Sequence, residues 1–187
     1  MKSKNFLLTG ALLIVVLFSV NGVMAQSPAA KTASTNVHIV FRPIQTIEVN
    51  ENKVEFLYDN IETYQNGAAD QLKGKHLKIN SSGPFVVNVV STAFTGGLPG
   101  KTIFLSDVAI QVVNTSPQVY TGVGITAPLP LSATNATLFT STGGGMNLEF
   151  DVNYSNPGGE KGKYLEGYLK GEEVTYTAQV TYEIIAN

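Results

Sequence analysis

The chain has no cysteine and no tryptophan. Without cysteine there can be no disulfide, the usual staple of small secreted domains, so stability must come from a core and a backbone ladder. A lipid anchor at a signal-cleavage site is excluded for the same reason. Histidine is almost as scarce, with His38 and His76 alone. Both fall on the solvent-facing phase of an alternating segment. No H-x-x-x-H or H-x-H spacing occurs, so no set of converging metal ligands is expected. There is no G-x-S-x-G turn on which a nucleophilic serine could sit. After Ala25 there is no apolar run of about 18 residues, the length a membrane helix needs.

The one long apolar run lies at the start. Residues 6–18 follow Lys2 and Lys4 and precede Val23-Met24-Ala25, the layout of a secretory signal peptide cut after Ala25. The expected divisions are a signal peptide over 1–25, a small polar leader over 26–36 and a β-sandwich domain over 37–187. Removing 25 of 187 residues leaves 162, one domain's worth of chain. Lys2 and Lys4 leave with the signal, so ten basic side chains face 14 acidic ones, a balance of −4. That charge gives no reason to expect nucleic acid or an anionic membrane as partner. The only basic cluster, Lys73, Lys75 and Lys78, reads as a solvated strand face. The expected location is secreted: periplasm, outer surface or extracellular space.

What the sequence does have is β-branched and aromatic residues at period two. Val37, Ile39 and Phe41 alternate with His38, Val40 and Arg42 until Pro43 interrupts. Further strands are expected over 44–49, 54–58, 76–80 and 85–90, and over 103–113 bent around Ser106-Asp107. Others are expected over 119–126, 137–140, 146–154 and 174–183, with 127–131 as edge or loop. The only helical candidate, 68–72, is one turn long. Roughly nine short strands between Gly, Pro, Asn and Ser turns predict an all-β, immunoglobulin-like two-sheet sandwich. Its core is expected at Phe85, Val87, Val89, Phe150, Val152, Val174, Tyr176, Ala178 and Val180.

Chemistry is thinly represented. Glu149 and Asp151 stand two apart on a strand, about 7 Å by the strand rise, a spacing that inverting glycosidases use. Polar strand faces carry such pairs routinely, so a solvated face is the expectation. Asp59, Glu62 and Asp70 lack the spacing of a calcium loop. Gly143-Gly144-Gly145 precedes a strand rather than a helix and reads as a flexible break, not a phosphate cradle. No catalytic, cofactor-binding or metal residue is expected, and the chain does not read as an enzyme. Exposed tyrosines can stack on sugars, and Tyr58, Tyr64, Tyr164 and Tyr168 are the candidates.

Several stretches taken together carry a resemblance. Residues 36–49 lead into Val54-Glu55-Phe56-Leu57-Tyr58 and Tyr64-Gln65-Asn66-Gly67. The middle is Leu77-Lys78-Ile79-Asn80-Ser81-Ser82-Gly83-Pro84-Phe85-Val86-Val87. A turn with Gly162, Tyr164, Gly167 and Tyr168 then feeds the Thr-, Val- and Tyr-rich segment 174–182. The chain resembles the small secreted, pilin-like immunoglobulin-type sandwiches of Gram-negative bacteria, especially Bacteroidota. The resemblance implies a cell-surface or fimbrial structural role, often assembled with a dedicated periplasmic chaperone. Two departures stand out: there is no disulfide, and the leader 26–36 lacks the apolar alternation of a donor strand. Val37, Ile39 and Phe41 are therefore the candidate strand-exchange residues, with a second copy of the chain as partner. The alternative is a secreted module that binds a glycan or another surface ligand.

Overall fold

The computed structural model describes residues 31–113, 122–159, 161–165 and 171–187. The chain divides into two compact units, Met1–Val40 and Phe41–Asn187. The expected signal peptide lies outside the described residues. In the first unit, residues 31–40 form neither helix nor strand and are exposed. The second unit holds the sheets.

Its strands are β1 (Gln45–Val49), β2 (Gln71–Ser81), β3 (Phe85–Ser91), β4 (Thr95–Gly96), β5 (Ala109–Val113), β6 (Val123–Ile125), β7 (Leu129–Pro130), β8 (Ala136–Ser141), β9 (Gly145–Ser155), β10 (Tyr176–Thr177) and β11 (Val180–Ala186). A five-stranded sheet runs β1-β2-β9-β5-β7 and a four-stranded sheet β11-β3-β8-β6, while β10 and β4 form a small separate pair. All the pairings are antiparallel. The two larger sheets pack face to face as a β-sandwich. From β2 onward, successive strands of these sheets alternate between them, so the pairs are nested: β2 with β9, β3 with β8, β5 with β7. The two layers are those of an immunoglobulin-like sandwich, and the nesting is that of jelly rolls.

The alternation that defines β3 explains the core. Phe85, Val87 and Val89 are buried while Val86, Asn88 and Val90 are half-exposed. Phe139 on β8 lies 4.7 Å, centroid to centroid, from Phe150 on β9, joining the sheets, and 6.1 Å from Phe85. Leu77, Ile79, Ile110, Val112, Leu138 and Val152 complete the buried cluster. Two arches turn the chain between sheets with one device. Ser81 Oγ donates to Gly83 O at 2.7 Å, and Ser141 Oγ donates to Gly143 O at 2.8 Å. These arches join β2 to β3 and β8 to β9, while β2 pairs with β9 in one sheet and β3 with β8 in the other.

Four expectations need correction. Residues 37–41 form no strand: alternation fixes which face would be apolar but supplies no ladder partner. Residues 54–58 also lack a ladder, although Val54 and Phe56 pack against the core in the expected phase. The helix is α1 (Ile61–Asn66), not 68–72. It is started by a capping box, in which Thr63 N donates to Asn60 Oδ1 at 2.9 Å and Asn60 N to Thr63 Oγ1 at 3.4 Å. The last strand is split, with β10 on β4 and β11 on β3. Val174, Tyr176, Ala178 and Val180 are only half-buried.

Candidate functional site

The candidate strand-exchange residues are among the most exposed apolar side chains described, Val37 at 82% and Phe41 at 90%, with Ile39 close behind. Ordered pairing begins at Ile44, whose N–H donates to Ser82 Oγ at 3.0 Å and whose carbonyl accepts from Ser82 N at 2.9 Å. Among the described residues the sandwich offers four edges. β7 is two residues long and carries Pro130, and β6 is three residues long. β1 and β11 approach each other on one flank but share no ladder. β11 pairs with β3 through seven residues without a bulge, and it contains neither proline nor lysine. Natural edges are usually blunted by such features. Val180, Tyr182 and Ile184 face inward and are only partly covered.

Beneath that flank lies a polar trio that the alternation conceals. His76 is 2% exposed, not solvent-facing. The cause is an irregularity in β2 between Lys73 and Leu77, where Lys75 takes a left-handed φ of 51°. Residues 74–76 stand opposite Asp151 alone, and this bulge turns His76 inward beside Leu77. Its Nε2 lies 2.9 Å from Tyr154 Oη on β9, which in turn bonds to Tyr182 Oη on β11. Both phenols stand edge-on to the imidazole. Burial pushes Tyr154 up to about 12, against the opposing effect of the Tyr182 bond. Burial, then the nearby Tyr154, pushes Tyr182 up as well. Both are neutral phenols at ordinary pH.

The bulge also accounts for the paired carboxylates. Asp151 is buried and accepts from Lys75 N at 2.5 Å, while Glu149 pairs with Lys75 Nζ at 2.8 Å. The pair holds the bulge rather than forming one solvated face. Asp151→Ala should cost about 1–3 kcal/mol by leaving the Lys75 N–H without its acceptor. Chemical denaturation measures this directly, and an unchanged midpoint would mean that the bulge does not depend on Asp151.

Three of the four candidate stacking tyrosines come together at one corner. Tyr58 stands 5.4 Å from Tyr64 and 5.3 Å from Tyr164, the latter edge-on. Tyr164 Oη donates to Asp107 Oδ2 at 3.0 Å, and Lys163 Nζ to Asp107 Oδ1 at 2.5 Å. Asp107 ends a short 3-10 turn, Leu105–Asp107, and its Oδ2 also accepts from Phe104 N at 3.3 Å. Lys161 N and Gly162 N donate to the carbonyls of Gln65 and Tyr64, tying the turn to α1. A Cβ on Gly159 would fall 1.8 Å from Tyr58 Oη. The corner is closed packing. Tyr164 is buried, and burial, reinforced by Asp107, raises its phenol well above the usual range. This corrects its reading as an exposed platform. Tyr168 lies outside the described residues. Asp107 is legible in the sequence only as a bend, since nothing local signals its partners 56 and 57 positions on.

Among the described residues no group of three His, Asp or Glu side chains converges on a metal position. No helix there is long and apolar enough to cross a membrane. No family model matches the chain, and no curated protein matches it either.

Proposed function

We propose that the protein is an exported, fimbria-like structural protein of the cell surface whose copies join by β-strand addition. The observation that carries the reading is the exposure of Val37, Ile39 and Phe41, which alternate like a strand but have no ladder. Covering each of these side chains is worth about 1.5–3 kcal/mol. The unblunted edge of β11 supplies a backbone template, and its half-covered Val180, Tyr182 and Ile184 supply an apolar counterpart. Backbone bonds would give affinity, and alternate side chains would give register. A periplasmic chaperone would hold the same edge before assembly. Glycan binding draws less support, because Tyr58, Tyr64 and Tyr164 pack on one another rather than presenting open faces.

Light scattering on the protein lacking residues 1–25 should show concentration-dependent oligomers, and electron microscopy should show linear assemblies. Ile39→Asp should abolish both while leaving the monomer folded. Wild-type protein that stays strictly monomeric, native and after slow refolding, would overturn the reading.

A further inference from the structure

We propose that His76, Tyr154 and Tyr182 form an acid-sensitive latch between the two sheets, and that protonation of the His76 ring loosens the C-terminal strand β11. The three residues come from β2, β9 and β11, so their hydrogen bonds run from one sheet to the other. Among the described residues, β11 is an edge strand whose only ladder is to β3. The Tyr154–Tyr182 bond is its polar tie to the opposite sheet.

The ring suits the neutral state alone. Nε2 has Tyr154, but Nδ1 is buried and finds no partner among the described residues. An imidazolium carries a proton on both nitrogens, so its second N–H would lie buried without an acceptor. The surroundings do not offset this. Glu51, from the loop after β1, would welcome a proton on His76, but it already pairs with Lys73 at 3.0 Å. Lys73, on β2 itself, opposes it. Asp151 on β9 is committed to Lys75 N, and Glu149 to Lys75 Nζ. Tyr154 and Tyr182 carry no charge. Burial therefore prevails, followed by Glu51 in the opposite sense, and holds His76 below 6.5. The sign follows from linkage: the opened form takes up the proton more readily. The contribution to stability is complete above about 6.5 and is lost as pH falls toward the folded value. The proposal concerns a single chain and does not depend on assembly.

An NMR titration of the His76 imidazole should place it below the ordinary 6.5. Amide-exchange protection factors over Thr181–Ile185 should fall by up to about tenfold per pH unit below 6.5, and before those of β9. His76→Phe keeps the ring volume without the proton, and its β11 protection should stay flat between pH 7.5 and 5. Three results would overturn the latch: His76 titrating at or above 6.5, wild-type β11 protection independent of pH, or the same fall persisting in His76→Phe. Should that variant not fold, the wild-type titration and exchange decide the matter.

Discussion

Phe139→Ala should lower stability by about 3–5 kcal/mol, the usual cost of removing a fully buried aromatic ring. Phe139 has no exposed surface, and its ring meets Phe150 of the opposite sheet and Phe85 of its own. Deletion leaves a void where the layers join, and strands tied on both sides cannot close it. Domains of this kind are held by about 5–15 kcal/mol, and this chain has no disulfide to fall back on. Urea denaturation is the measurement. Met146→Ala, at a side chain 66% exposed, is the matched control and should move the midpoint little. Equal effects at the two positions would mean that the core is assigned wrongly.

The second large effect is expected within three consecutive glycines. A Cβ on Gly144 would sit 2.4 Å from Ser81 O and 2.7 Å from Gly83 N, both backbone atoms. The arch at 81–83 and the arch at 141–143 are thus pressed together through the missing side chain. Gly144→Ala must push one arch away and should cost at least about 2 kcal/mol. Gly143, one position earlier, has open space around its Cβ position. Gly143→Ala should be neutral or stabilise by about 0.4–1 kcal/mol, through the unfolded chain. Thermal melts of the two variants side by side would settle this, and similar behaviour would show that the arches do not touch as described.

These glycines also illustrate what a sequence conveys. The triplet reads as a flexible break, and the break is there. That one of the three is a packing contact depends on a second turn some sixty positions away. Period-two patterning marks β9 and an apolar run marks β3, because burial leaves a direct mark on composition. The same pattern over 37–41 and 54–58 says nothing about a hydrogen-bonding partner, and neither segment has a ladder. The pattern puts His76 on the wrong face because the bulge between Lys73 and Leu77, with Lys75 at φ 51°, interrupts the alternation. Lysine is a poor advertisement for a left-handed position, where glycine or asparagine is the usual signal. The tyrosine corner was visible as a set of aromatic residues. Its closure by Asp107 and Gly159 was not, since those contacts are wholly tertiary.

The nested pairing also bears on how fast the molecule can form. β2 cannot find its neighbour β9 until most of the chain has been made, and the hydrogen bond from Asn153 to Asp70 alone closes a loop of 83 positions. Loop-closure entropy is spent before such contacts return anything, so topologies of this sort fold in about milliseconds to seconds, not microseconds. A chain that stops short of Gly145 has β1 and β2 at one end and β5 and β7 at the other, with nothing to join them. Until the segment from Gly145 onward is available, β2 and β5 lack their common neighbour β9 and are open to mispairing.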